Sequence, residues 1–127
     1  MSKPTVAILG ASPNRARYSN ISIRAHVAQG FEVFPVNPRG GQIEGLTCYA
    51  TLADLPVETL DSISVYLSPP VGLKLLPEIA AANAGKVYFN PGADSPEVMQ
   101  AAKELDIPAI QACSIIAIGS SPGEFMD

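Results

Sequence analysis

Four short runs carry the residue types that hold phosphates and nucleobase edges: Gly10-Ala11-Ser12-Pro13-Asn14-Arg15, Asn37-Pro38-Arg39-Gly40-Gly41, Ser68-Pro69-Pro70 and Asn90-Pro91-Gly92-Ala93. Glycine lets backbone N–H groups come close to a ligand, and short hydroxyl or amide side chains supply the remaining hydrogen bonds. Ordinary turns demand the same residues, so one such run alone means little. Four of them, with Arg15, Arg17 and Arg39 alongside, point to a phosphorylated small ligand.

Other reactive side chains form no catalytic constellation. His26 is the only histidine, and no partner base or nucleophile stands near it in sequence, so it reads as a surface or helix-packing residue. Cys48 and Cys113 read as buried, inert thiols; the sharper reading lets Cys113 exchange with a ligand thiol. One histidine and two cysteines match no zinc spacing. Glu78 follows Lys74 at helical pairing distance, Glu97 and Glu104 read as solvent-facing, and no pair of carboxylates suits acid–base work. The four tyrosines are too dispersed for a nucleobase-stacking platform.

Composition narrows the classes further. The chain has 127 residues, of which 47% are hydrophobic and 16% charged, enough for one buried core; we expect a single domain over residues 1–127. The uncharged stretch from Ile107 to Gly123 contains Ser, Gln, Gly and Pro, and the Met1–Pro4 start lacks leader anatomy, so no membrane association is expected. Two cysteines make no disulfide framework, which suits a cytoplasmic setting. A net charge of −4 argues against nucleic-acid binding. The charge is also uneven: residues 1–43 hold five basic residues against Glu32 alone, whereas residues 44–127 hold three against eleven acidic ones. A basic pole on an acidic protein suits a small anion better than a polyanion.

The elements that must position these runs alternate between strand and helix. Thr5–Leu9 is a short apolar run ending at Gly10, as in a strand buried on both faces. A helix is expected over Asn20–Gln29, capped by Ser19 or Asn20 and ended by Gly30. Phe31–Val36 is a second strand, whose Pro35 suggests a sheet edge or an early end. Ser62–Leu67 is a third. Val71, Leu75, Leu76, Ile79 and Ala82 then follow helical spacing up to Gly85, with Pro77 implying a late start or a kink. Lys86–Asn90 is the fourth strand. Asp94-Ser95-Pro96-Glu97 opens a helix whose buried stripe is Val98, Ala101, Ala102 and Leu105. One of the stretches Ala109–Ala112 and Ile115–Ile118 is the fifth strand, and Cys48 lies in a small strand before Thr51. The pattern predicts an α/β, Rossmann-like three-layer α/β/α domain with a mainly parallel sheet of about five strands, covered on both faces. In such sheets ligands bind at the carboxyl ends of the strands, where all four runs would lie.

The first run departs from the dinucleotide fingerprint G-x-G-x-x-G. Gly10 is present, but Ser12 and Arg15 replace the second and third glycines, and the second strand leads into Asn37 where an acid is required. The fold suits a nucleotide, while the residues do not suit NAD. Arg39 leaves NADP less excluded, and no P-loop occurs.

Taken together, the runs Val6–Asn14, Tyr18–Asn20, Gly30–Pro38, Ile43–Tyr49, Ser68–Leu73 and Asn90–Ala93 resemble the stand-alone CoA-binding domain family over nearly the whole chain. They are similar, more distantly, to the CoA-binding domain of the succinyl-CoA synthetase α subunit. The resemblance implies coenzyme A or an acyl-CoA as ligand. Gly10, Ala11, Ser12 and Asn14 would cradle phosphate, with Arg15 or Arg17 adding charge. Asn37, Pro38 and Arg39 would hold the ribose and 3′-phosphate, Ser68, Pro69 and Pro70 would cover adenine or pantetheine, and Pro91 and Gly92 would face the pantetheine arm. Two departures stand out. The synthetase's active histidine belongs to a further domain that this sequence does not contain, and Ala112–Gly119 differs from the Cys-Pro ending of many stand-alone members. The expectation is therefore non-catalytic binding of CoA or acyl-CoA in a sensing or regulatory role. The alternatives are a partner-dependent component of a CoA ligase or transferase, and an NADP-binding redox sensor. A homodimer or a protein partner is left open.

Overall fold

The computed structural model describes residues 3–125. Residues 1, 2, 126 and 127, which the single-domain reading and the leader argument included, lie outside them. Strands β1 (Thr5–Leu9), β2 (Glu32–Val36), β5 (Ser62–Val65), β6 (Lys86–Phe89) and β7 (Ala109–Gln111) form one parallel sheet in the order β2-β1-β5-β6-β7. Helices α1 (Tyr18–Ala28), α2 (Pro69–Ala81) and α3 (Pro96–Glu104) and the one-turn α4 (Ser114–Ala117) flank it. This is the expected Rossmann-like α/β arrangement. A two-residue hairpin, β3 (Gln42–Ile43) and β4 (Leu46–Thr47), lies outside the sheet.

Alternation along the strands sorts the core. Ala7, Leu9, Phe34, Val36, Ile63, Val65, Val87 and Phe89 pack with Leu76 and Ile79 of α2 and Val98 and Ala102 of α3. Val6, Ile8 and Val33 face the other way, against Ile23 of α1. That second layer is thinner than expected. Beyond α1 it consists of α4, and Tyr88 and Ile110 on the same face of β6 and β7 are only half-buried.

Pro35 does mark an edge: β2 is terminal in the sheet. Its carbonyl accepts the Tyr49 N–H at 2.9 Å, so the missing proline N–H points away from β1 and costs the ladder nothing.

Several boundaries differ from expectation for local reasons. Helix α1 starts at Tyr18, because a turn led by Asn14 feeds straight into it. Asn14 Oδ1 accepts the Ala16 N–H at 3.0 Å, and the Asn14 carbonyl accepts the Arg17 N–H at 3.0 Å. Ser19 and Asn20, expected as caps, are instead buried inside the helix, and the capping position falls on Arg17 with no side-chain cap. Helix α2 starts early, at Pro69, since proline suits the first turn; Pro69 and Pro70 are therefore helical, and the helix continues through Pro77. It ends at Ala81, with Ala82 as cap and Asn83 just beyond in the left-handed region (φ 51°), and not at Gly85. Gly85 packs closely instead: a Cβ there would sit 3.1 Å from the Asp61 carbonyl oxygen, a tight contact. Helix α3 opens as read, with Ser95 Oγ accepting the Val98 N–H at 3.3 Å. Leu105, expected in its buried stripe, is exposed just past its end. Ala109–Gln111 is the fifth strand, and the Ile115–Ile118 stretch is largely helical. The hairpin β3–β4 turns on Glu44 and Gly45, both at positive φ, as a two-residue loop requires.

Candidate functional site

Strand β1 lies where the sheet order reverses, with β2 on one side and β5 on the other, and the loops leaving these carboxyl ends open a crevice. Gly10 makes the crevice floor possible. Its φ is +79°, and a Cβ there would sit 2.5 Å from the Tyr66 carbonyl oxygen, so only glycine allows the loops after β1 and β5 to meet.

Two hollows fill this edge. The polar one, about 360 Å³, is bounded by Gly10, Ala11, Ser12, Arg17, Ser19 and Asn37 together with Tyr18 and Tyr66. The first intrahelical bond of α1 runs from the Ile21 N–H to the Arg17 carbonyl, so the amides of Tyr18, Ser19 and Asn20 precede the ladder at its positive end. Asn37 ties the walls together: Nδ2 donates to the Ala11 carbonyl at 2.7 Å and Oδ1 accepts the Arg39 N–H at 2.9 Å. Ser12 Oγ accepts the Asn14 N–H at 3.1 Å.

The apolar hollow, about 460 Å³, is lined by Leu67, Ser68, Pro91, Gly92, Cys113 and Ile116, among others. Tyr18 and Tyr66 border both hollows, so they form one groove. Beneath the apolar part lies a buried polar network. Ser64 Oγ and Ser114 Oγ are 2.7 Å apart, Asn90 Nδ2 donates to Ser64 Oγ at 2.9 Å, and Asn90 Oδ1 accepts the Ser114 N–H at 2.8 Å. Tyr66 Oη reaches Ser114 Oγ at 3.3 Å, and burial pushes its phenol pKa up, which keeps it protonated at neutral pH. The network anchors the start of α4, and so Cys113, against the sheet.

The structure thus brings Gly10, Ala11, Ser12, Arg17, Asn37, Ser68, Pro91 and Gly92 to the groove. Asn14, Arg15, Pro38, Arg39, Pro69 and Pro70 lie outside its lining. Asn14 is committed to its turn, and Arg15 Nε lies 3.6 Å from Glu44 in an ion pair. That is the only ion pair among the described residues; the expected Lys74–Glu78 pair does not form. Tyr18, Tyr66, Leu67, Ile116 and Pro122 were missed as lining residues. Tyr18 carried the one available signal, an aromatic at the opening of a helix. The others depend on which way a short connection turns.

Cys113 is half-buried and lines the groove, whereas Cys48 is buried, which raises its thiol pKa. His26 packs inside: it is 1% exposed and edge-on to Phe31 at 4.9 Å between ring centroids. Its Nδ1 lies 2.8 Å from the Ser22 carbonyl and so carries the hydrogen. Among the described residues no cluster of His, Cys, Asp and Glu is placed to hold a metal ion, and no helix is long and apolar enough to cross a membrane. A hollow of about 580 Å³ near Phe31, Asp61, Lys86 and Tyr88 lies at the opposite, amino-terminal edge of the strands. Its size does not compensate for a position away from the strand carboxyl ends.

Comparison with known proteins agrees with this geometry. A model of the CoA binding domain matches residues 4–119. The chain belongs to the CoA-binding domain family. Among solved structures, this CoA-binding domain is similar to a conserved hypothetical protein from Pyrococcus furiosus, at 35% identity and a TM-score of 0.80, covering 90% of this chain and 98% of that one. A Thermus thermophilus protein matches at 34% identity and a TM-score of 0.80, covering 90% and 87%. The dinucleotide-forming acetyl-coenzyme A synthetase 1 of Ca. Korarchaeum cryptofilum shares the fold, at 19% identity and a TM-score of 0.71. That match covers 85% of this chain and 26% of the synthetase.

Proposed function

We propose that this domain binds coenzyme A along the groove as a module with no chemistry of its own. The observation that carries the reading is the groove's division of character. One end offers helix-start amides and Arg17, the other is apolar, and they meet at Tyr18 and Tyr66. Coenzyme A has the same division, with an anionic nucleotide at one end and an uncharged arm ending in a thiol at the other. The diphosphate sits against Gly10, Ala11, Ser12 and the start of α1, with Asn14 shaping the turn and Arg17 supplying charge, Arg15 being paired with Glu44. Asn37, Pro38 and Arg39 take the ribose and 3′-phosphate. Ser68, which lines the apolar hollow, covers the pantetheine with Pro69 and Pro70 at the opening of α2, and Pro91 and Gly92 guide that arm toward Cys113.

The test is thermal unfolding with CoA, dephospho-CoA, NAD, NADP and ATP. A ligand at a hundred times its dissociation constant stabilises by about 2.7 kcal/mol, several degrees for a domain of this size. We expect that shift with CoA and none with NAD or ATP. A shift with NADP and not CoA would replace the ligand with the redox-sensor alternative. A second reading, a component of a CoA ligase that acts with a partner, draws on the match to one quarter of an acetyl-coenzyme A synthetase. It requires turnover that appears only when the partner is added.

A further inference from the structure

We infer that the apolar end of the groove selects CoA thioesters of uncharged acyl groups over free CoA and over acyl groups ending in a carboxylate; this rests on the CoA reading above. The first observation is where the exposed apolar surface lies. Of the five large hydrophobic residues that are exposed among the described residues, two, Tyr18 and Ile116, border this one hollow, at 55% and 64% exposure. Apolar surface gathered at the mouth of a cavity is covered by what the cavity binds. The thiol of free CoA is too small to cover both, whereas an acyl chain extends past Cys113 toward Ile116.

The second observation is charge. Among the described residues, no Asp, Glu, Lys, Arg or His lines the hollow, so a carboxylate carried into it finds no cation and loses its water. The charged groups next to its walls are acidic. Asp94 accepts the Gly92 N–H at 3.2 Å and the Gln111 amide at 2.9 Å, bonds that hold its carboxyl below the ordinary range and keep it ionised. Glu124 stands two residues beyond Pro122 and is exposed. Arg17 borders the polar hollow only, where the ligand's phosphates occupy it.

The experiment is calorimetric titration of the full chain with CoA, acetyl-CoA, butyryl-CoA and succinyl-CoA, for the wild type and for Ile116→Lys. Each buried methylene tightens binding by roughly threefold to fourfold, so butyryl-CoA, with two more methylenes, should bind about tenfold tighter than acetyl-CoA, with CoA weaker than acetyl-CoA and succinyl-CoA at least about tenfold weaker than butyryl-CoA. In Ile116→Lys, whose site is exposed enough to keep the fold intact, succinyl-CoA should overtake butyryl-CoA. Equal binding of all four, or an order unmoved by the lysine, overturns the inference and leaves CoA binding standing. No heat from any of them, CoA included, overturns the CoA reading itself and the inference with it.

Discussion

Arg24 donates from Nε to Asn20 Oδ1 at 2.8 Å, from one terminal nitrogen to the Phe125 carbonyl at 2.9 Å and from the other to the Arg15 carbonyl at 2.8 Å. Its guanidinium also stands over the Phe125 ring, so this arginine clasps the structure and is not free for a ligand. Arg15 faces Glu44. Two of the five basic residues in that pole are therefore engaged internally, leaving Arg17 in the groove and Arg39 exposed two residues beyond Asn37. Arg24→Ala should cost about 2–3 kcal/mol in denaturant unfolding, and Arg24→Lys should not restore it, because a lysine cannot donate in three directions from one plane. Arg39→Ala should weaken CoA by about tenfold, the worth of one charged hydrogen bond, and leave dephospho-CoA almost unchanged. Equal losses for both ligands would remove Arg39 from the 3′-phosphate. His26 carries a pH dependence. Burial lowers its pKa from the ordinary 6.5, so the unfolded chain takes up the proton first. Stability is intact above that value and falls as pH drops below it. Thermal unfolding followed from pH 7.5 to 5 should show the decline, and His26→Gln should flatten it.

Element identities were legible where periodicity and punctuation agreed. Thr5–Leu9 ending in glycine, Ser95-Pro96 opening a helix and Pro35 on an edge each say one thing by two signals, and each stood. Boundaries failed where a nonlocal partner decided them. Asn20 looked like a cap because asparagine often is one, yet its Nδ2 donates to the Ser12 carbonyl at 2.9 Å and to Glu44 at 3.2 Å, contacts that exist only after the loops fold together. The hairpin over residues 42–47 was not anticipated, since Glu-Gly is a weaker turn signal than Asn-Gly. Pro77 removes one helix bond without ending α2, because the residues around it pack: Leu76 and Ile79 are each 1% exposed. Pro77→Ala should therefore restore the bond to the Leu73 carbonyl and stabilise by about 2 kcal/mol, less what proline contributes by stiffening the unfolded chain. Chemical denaturation measures it, and a destabilised variant would show that the helix had adapted to the proline.

At the scale of the whole molecule, the parallel sheet of about five strands and the edge that carries the loops followed from strand–helix alternation, and eight of the fourteen residues expected at the site reach the groove. What the sequence concealed was the floor and far wall. Asn90, Ser64 and Ser114 are far apart along the chain and converge only through the order β5-β6-β7, and Ile116 depended on reading Ile115–Ile118 as helix. On the CoA reading we propose, one ligand spans both hollows at the strand carboxyl ends. Amide chemical shifts recorded during titration with CoA test it most directly. Perturbations are expected in two blocks, Ala11–Ser19 and Gly92–Ala93 with Cys113–Ile116, while Phe31, Asp61, Lys86 and Tyr88 at the opposite edge stay still. Perturbations confined to that opposite edge, or to one hollow alone, would contradict it.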